Sequence, residues 1–124
     1  MLRIGNGRAA VLLAGDIERA QEASLAARAA DLHVDLLLVP HHGSKTSSSA
    51  ALLDAARPRI AVVQSGYRNR FGHPAGDVLA RYAERGIAVV DSPHCGAAQW
   101  SSTVPGAIAC ERQRARRYWH HSLR

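Results

Sequence analysis

Aromatic residues, lysine and cysteine are all scarce in this chain of 124 residues, and the scarcity of cysteine excludes two kinds of structure. Aromatics make up 5% of the residues, and Lys45 is the single lysine among 16 Lys+Arg. The two cysteines, Cys95 and Cys110, are too few for a disulfide-rich scaffold or a four-thiolate zinc site. No apolar run approaches the roughly 18 residues that span a bilayer, and the first residues lack the apolar stretch of a signal peptide. We expect the chain by itself to be soluble.

What the chain does contain indicates one globular domain, residues 1–124. Hydrophobic residues make up 47%, too many for a disordered chain, and the length allows a single core. The formal charge is +6, and nearly all of the positive charge is arginine. Arginine presents a planar fork that matches phosphate oxygens. Scattered arginines are most simply a solvated surface, but clustered ones favour a phosphate-binding role.

Short apolar runs alternate with alanine-rich helical segments along the chain. The pattern predicts strands at 2–4, 9–14, 34–39, 60–64 and 87–90 and helices at 17–32, 48–56 and 75–85. Residues 5–7 form a good hairpin turn, and a second hairpin is predicted from 96–102 and 107–112. Strands joined by helices are normally parallel, so the residues after each strand share one edge of the sheet. That edge is where open α/β folds bind ligands.

Ionisable residues follow three of these strands. Asp16 follows the second strand, His41 and His42 follow the third, and His73 lies in the loop after the fourth. Neutral imidazole and carboxylate are ligands for zinc or manganese, and Gly43 permits a tight turn beside the two histidines. The simpler interpretations are that Asp16 is a helix N-cap and that the histidines cap a Ser/Thr-rich turn. Convergence on one edge favours a metal site.

A loop between the fourth strand and the last helix, residues 66–74, is basic and bounded by glycine. Its Arg68, Asn69 and Arg70, together with Lys45, are candidate nucleic-acid ligands. His73 is the candidate group that stabilises charge on a departing oxygen. An ordinary polar loop is the alternative.

These segments together resemble the C-terminal hydrolase-like domain of the ComEC family of DNA-uptake (competence) proteins. The resemblance rests on Gly15-Asp16, on the run PHHGSKTS at 40–47 and on NRFGHP at 69–74, and it extends from residue 10 to the C-terminus. It implies the C-terminal half of a metallo-β-lactamase-type αββα sandwich, in βαβαβαβ order with a C-terminal β-hairpin. It also implies two zinc or manganese ions in the complete domain and a metal-bound hydroxide that acts on DNA phosphodiesters, with single-stranded DNA as the expected partner.

The same resemblance assigns roles to residues and a location to the protein. Asp16 matches the metal-bridging aspartate and is also a candidate catalytic residue. The pair His41 and His42 contains a metal ligand, with neither one favoured, and His73 matches the catalytic-loop histidine near the substrate. Full-length members of the family lie in the inner membrane with this domain outside the cytoplasm.

The sequence departs from the family at its start. Family enzymes begin the metal site with a His- and Asp-rich motif, whereas no His, Asp or Glu precedes Asp16 here. We therefore expect a partial domain that is inactive alone and whose partners are the missing N-terminal half and the membrane portion. Half a sandwich would also expose one sheet face and favour association. The alternatives are a non-catalytic nucleic-acid-binding module with a degenerate metal site and a hydrolase of small phosphate esters.

The C-terminal region allows two interpretations. Arginines and aromatics at 111–121 suit single-stranded nucleic acid, or they form a solvated tail whose Tyr118 and Trp119 pack on the core. His120 and His121 are interpreted as incidental. In the predicted hairpin Cys110 faces a residue near Ser101, on the order of 20 Å from Cys95 at about 3.3 Å per strand residue. We expect free thiols.

Overall fold

A computed structural model of the chain describes residues 1–119 and 121, which form a mixed α/β fold with a five-stranded sheet and a small two-stranded sheet. The strands are β1 Leu2–Gly5, β2 Ala10–Leu13, β3 Leu36–Leu38, β4 Ile60–Val63, β5 Ala88–Asp91, β6 Ala98–Gln99 and β7 Ala109–Cys110. The helices are α1 Arg19–Arg28, α2 Ala50–Ala56, α3 Gly76–Glu84, α4 Ser92–Cys95 and α5 Glu111–Arg114. A single 3₁₀ turn, Pro40–Gly43, follows β3.

The large sheet has the order β1-β2-β3-β4-β5. β1 and β2 pair antiparallel, which confirms the predicted hairpin, but its connection is 6–9 and not 5–7, because Gly5 still pairs with Ala10. Strands β2 to β5 are parallel, as the alternation of strands and helices predicts. Successive right-handed crossovers that advance in one direction place their helices on one face of the sheet. The same topology sends the carboxyl ends of four neighbouring strands to one edge, where the candidate residues lie.

The main core lies between the sheet and α1 to α3. Fully buried apolar side chains from both layers form it: Leu12, Leu37, Val63, Leu52, Leu53, Val78 and Tyr82. Helix α1 is shorter than the predicted 17–32. It begins at a capping box, in which Glu18 and Gln21 bond each other's backbone, and it ends at Arg28, because the next residue, Ala29, has an extended backbone. The chain then turns inward to bury Leu32 in the core.

The second face of the large sheet is covered only in part by the described residues. Trp100 and Ile108, which lie in the connection between β6 and β7, line a cleft of about 440 Å³ against this face. Leu2 and Ile4 on the edge strand are 55% and 52% exposed. The expected association through this face stays a prediction. Within the described residues no helix has both the length and the apolarity to cross a membrane.

The expectation of free thiols is wrong, because Cys95 and Cys110 form a disulfide with a Cα–Cα separation of 4.6 Å. The predicted register of the C-terminal hairpin is the cause of the error. Cys110 pairs with Ala98 in β6, not with a residue near Ser101, because the connection between the strands is longer than a tight turn at 104–106. Trp100 Nε1 closes this connection by donating to the Pro105 carbonyl at 3.0 Å. Cys95 ends α4 just before Gly96, whose positive φ of 69° turns the chain toward β6.

Removing the disulfide is expected to lower the free energy of unfolding by about 3 kcal/mol, the value for a closed loop of about 15 residues. The bond spans 15 positions and constrains the unfolded chain. Denaturant unfolding of Cys110→Ala against the oxidised wild type measures the change. The double variant Cys95→Ala/Cys110→Ala is the control, since its midpoint must not respond to a reducing agent. A wild type whose midpoint is equally insensitive would contradict the prediction.

Candidate functional site

The predicted site residues Asp16, His41, His42 and His73 meet at the carboxyl edge of the parallel strands. His42 Nε2 lies 3.6 Å from Asp16 Oδ1. The His41 ring centroid is 6.4 Å from that of His42 and 6.3 Å from that of His73. The structure thus brings together side chains that are up to 57 positions apart (73 − 16). Their roles as metal ligands and catalytic groups stay predictions.

The turn Pro40–Gly43, called here the histidine turn, has an unusual backbone. His41, His42 and Gly43 have φ values of 47°, 55° and 79°, all in the left-handed region. Such conformations in non-glycine residues persist where surrounding contacts impose them, and they cluster at functional sites. Here His41 N donates to the Gly15 carbonyl at 2.9 Å, and Ala75 N donates to the Gly43 carbonyl at 2.9 Å. The histidine turn is therefore tied to the loop after β2 and to the start of α3.

The ring of His42 is oriented as a metal ligand would be. Its Nδ1 lies 2.7 Å from the Gln64 carbonyl oxygen, which can only accept, so Nδ1 carries the proton and the neutral ring keeps a lone pair on Nε2. That lone pair is on the nitrogen nearest Asp16. Two ligand bonds of about 2.1 Å in tetrahedral geometry place their donor atoms about 3.4 Å apart. The observed 3.6 Å between Nε2 and Oδ1 fits a shared ion.

His41 faces a different carboxylate, one that sequence analysis missed. Its Nδ1 lies 3.0 Å from Glu18 Oε1 and 3.4 Å from Ser44 Oγ. Glu18 also accepts from Thr46 Oγ1 at 3.0 Å and caps α1. The pattern Glu-x-x-Gln at 18–21 is a capping-box signal that could have identified Glu18. His41 thus pairs with Glu18, whereas His42 pairs with Asp16.

The acidic and imidazole groups at this edge do not form a complete set of ligands. Among residues 1–119 and 121, no group of three or more His, Cys, Asp or Glu side chains could hold a metal ion. A second carboxylate–histidine pair, also missed from the sequence, follows β5: His94 Nδ1 lies 2.6 Å from Asp91 Oδ1. Its position after a parallel strand is the signal that could have found it.

The loop at 66–74, called here the basic aromatic loop, is braced from within by Asn69. The Asn69 amide donates to the Gly66 and His73 carbonyls at 3.0 and 2.6 Å, and its Oδ1 accepts from His73 N at 3.0 Å. Both ends of this side chain are thus used inside the loop. The structure gives Asn69 a positioning role, and its predicted contact with nucleic acid stays a prediction. His73 Nδ1 is buried and has no hydrogen-bond partner within the described part of the chain.

The positively charged candidates are all exposed. The Arg68 guanidinium lies 5.1 Å from the Tyr67 ring centroid, and that of Arg70 lies 4.8 Å from the Phe71 ring centroid. Lys45 stands in the turn that follows Gly43. These arginines therefore sit on a surface with aromatic side chains interleaved, which is typical of nucleic-acid contacts.

A cleft of about 540 Å³ joins the loop to the histidine turn. His42, Asn69, Phe71 and His73 line it, together with Gln64, Ser65, Gly66 and Ser92. Its size lies in the range of small-molecule sites. A ligand in this cleft would contact His42 and the basic aromatic loop at once.

A buried carboxylate supports the segment that leads from the histidine turn to α2. Glu22 of α1 is fully buried, and its two oxygens accept from Ser48 N at 2.6 Å and Ser49 N at 2.7 Å. Ser48 Oγ lies 3.0 Å from the Tyr82 hydroxyl. Burial raises the pKa of Tyr82 above its ordinary value, so the phenol stays protonated and can donate. Sequence analysis missed Glu22, although it lies three positions before Leu25, a half-buried residue that packs against the core.

Residues 112–119 of the C-terminal segment are exposed. Tyr118 is 96% exposed and Trp119 60% exposed, which overturns the packing alternative. Their rings contact each other edge to face at 4.8 Å, and the Arg117 guanidinium lies 5.3 Å from the Trp119 centroid. The His121 ring centroid lies 6.2 Å from that of Tyr67, so this segment contacts the basic aromatic loop. His120 lies outside the described residues.

Comparison with known proteins identifies longer relatives. No protein-family model matches the chain. Competence protein ComA of Neisseria gonorrhoeae is 36% identical over 121 residues, 96% of this chain and 17% of the relative. Recombination protein 2 of Haemophilus influenzae is 38% identical over 65% of this chain and 10% of the relative. ComE operon protein 3 of Bacillus subtilis is 30% identical over 72% of this chain and 12% of the relative.

These relatives agree with the resemblance drawn from the sequence motifs. The chain spans between 10% and 17% of the length of these curated relatives. It belongs to the ComEC family of competence proteins.

Proposed function

We propose that this chain forms part of a metal-dependent hydrolase domain of a DNA-uptake protein, with the architecture of half an αββα sandwich. One relative is named a competence protein and another a ComE operon protein, which supports a role in natural transformation. The observation that carries the hydrolase proposal is the pair Asp16 and His42, whose donor atoms are spaced for one ion.

Within this proposal Asp16 and His42 hold a zinc or manganese ion. The Gln64 carbonyl keeps the His42 ring in the tautomer that presents Nε2, a second-sphere contact of the kind that orients metal-bound histidines. Such an ion would lower the pKa of water and supply a hydroxide nucleophile near neutral pH. Arg68 and Arg70 take the backbone charge of DNA, and His73 faces the departing oxygen.

Two donors do not complete a binuclear site, so the remaining ligands must come from another part of a longer polypeptide or from a second chain. We therefore propose that the chain is catalytically inactive alone. The disulfide between Cys95 and Cys110 supports a location outside the cytoplasm, because disulfides persist in oxidising compartments.

Zinc titration of the purified chain tests whether Asp16 and His42 bind a metal ion. Zinc binding, measured by calorimetry, is expected to weaken about 10-fold or more in Asp16→Asn and in His42→Gln, in line with the loss of a ligand or of its support. Asp77→Asn changes an exposed carboxylate on α3 in the same way and is expected to leave the affinity unchanged. Equal affinity in all four proteins would contradict the metal site.

The proposed inactivity has its own assay. The chain with zinc or manganese is expected to leave single-stranded DNA intact. Robust cleavage that Asp16→Ala abolishes would show that the ligands present suffice, and would overturn that part of the proposal.

A non-catalytic nucleic-acid-binding module is the second candidate. The exposed arginine–aromatic pairs of the basic aromatic loop favour it, because they need no metal. DNA binding that is salt-sensitive and unchanged by metal removal, in a chain that binds no zinc, would support this candidate over the first.

A further inference from the structure

Two aromatic rings of the basic aromatic loop are exposed where burial would be the norm. Tyr67 is 47% exposed and Phe71 66% exposed, in a chain with few aromatic residues. Large apolar side chains grouped on a surface are informative because they mark contact sites. Both rings lie within six positions of His73, whose ring stacks on Phe71 at 5.7 Å with an interplanar angle of 18°.

An arginine guanidinium group also lies over each exposed ring. The Arg68 and Arg70 guanidinium groups lie 5.1 and 4.8 Å from the Tyr67 and Phe71 centroids. Exposed cation–π contacts are weaker than the stacking of a nucleobase on an aromatic ring. An incoming base can therefore replace each guanidinium over its ring and release it toward a phosphate.

The Phe71 ring also lies close to the proposed metal ligand His42. Phe71 and His73 line the same cleft of about 540 Å³ as His42. A planar group stacked on Phe71 would lie beside the rim where Asp16 and His42 meet. On the other side, Tyr67 touches His121, so the aromatic surface continues into the C-terminal segment.

We propose that Phe71 is a base-stacking residue that holds an unpaired nucleobase of single-stranded DNA beside the Asp16–His42 pair, and that Tyr67 stacks a further base of the same strand, while Arg68 and Arg70 bind the adjoining phosphates. This inference rests on the proposed function and adds the residues that hold the bases of the strand. Bases in a duplex are already stacked and paired, so a stacking surface selects single strands.

Two DNA strands of equal charge, one with bases and one without, distinguish base stacking from phosphate binding. We would measure fluorescence anisotropy of the full chain with a dT oligonucleotide of about 12 nucleotides and with an abasic strand of the same length. Wild type is expected to bind dT more tightly. Phe71→Ala should weaken dT binding about fivefold to a hundredfold and leave abasic binding unchanged. Phe71→Trp should retain the dT affinity.

Matched variants complete the test. Val104→Ala removes an exposed apolar side chain (58% exposed) from the C-terminal hairpin connection and should change neither affinity. Arg68→Ala and Arg70→Ala should weaken both probes alike and each lower the salt slope by about 1. Unchanged melting temperatures would show that every variant is folded, as expected for exposed positions.

The outcomes distinguish this inference from the proposed function. If Phe71→Ala weakens both probes equally or neither, stacking is overturned, while zinc binding by Asp16 and His42 still stands or falls by its own titration. If wild type binds dT and the abasic strand equally, stacking is overturned as well. If the chain binds neither probe, both stacking and the DNA-binding part of the proposed function are overturned.

Discussion

Gly43→Ala is expected to lower the free energy of unfolding by about 2–5 kcal/mol and to separate the histidine turn from the basic aromatic loop. Gly43 is buried with φ at 79°, and a Cβ there would lie 2.6 Å from Pro74 Cβ and 3.0 Å from Pro74 Cα. The left-handed backbone contributes part of this loss. Overlap with the Pro74 backbone contributes the rest, because the start of α3 is anchored and cannot move freely.

Gly72→Ala is the matched control for Gly43→Ala. Gly72 also has a positive φ, 66°, but nothing lies within 4 Å of its Cβ position, so only the backbone penalty of about 1–2 kcal/mol applies. Urea unfolding of both variants gives the difference. Zinc titration should also show weaker binding in Gly43→Ala alone, because its histidine turn is displaced. Equal losses of stability in both variants would contradict the proposed close contact.

Glu22→Gln is expected to lower the free energy of unfolding by about 1–3 kcal/mol, the cost of leaving a buried hydrogen-bond donor without its partner. Its two carboxylate oxygens accept from Ser48 N and Ser49 N inside the protein. A glutamine keeps the shape but turns one acceptor into a donor that faces a backbone N–H. That N–H is then buried without a partner. Ser48, with φ at 55°, would lose the contact that holds its conformation.

Glu84→Gln is the control for this change. Glu84 lies at the end of α3 with a side chain 72% exposed, so the same substitution there is expected to change stability by less than about 0.5 kcal/mol. Urea denaturation monitored by circular dichroism compares the two variants. A Glu22→Gln protein as stable as Glu84→Gln would show that the two buried backbone contacts contribute little.

The cysteine error shows where sequence reasoning reaches its limit. Strand positions followed from apolar runs, but the register of a short hairpin depends on the conformation of its connection. A three-residue difference in that register, from Ser101 to Ala98 as the partner of Cys110, decides whether two thiols meet. The basic aromatic loop shows the same limit. The sequence identified Arg68 and Arg70 as candidate ligands, but it did not show that their guanidinium groups lie over the rings of Tyr67 and Phe71.

The sequence by itself determined the alternation of strands and helices, and with it the edge at which Asp16, the two histidines and His73 gather. Hydrophobic periodicity and the rules of parallel crossovers are local or topological, so a single chain carries them in its residue order. Only the tertiary structure decided that His42 faces Asp16, that His41 faces Glu18 and that Glu22 is buried beneath Ser48. These pairings depend on positive φ angles and on contacts between distant segments. Both arise only in the packed chain, because there the buried polar groups must all find hydrogen-bond partners at once.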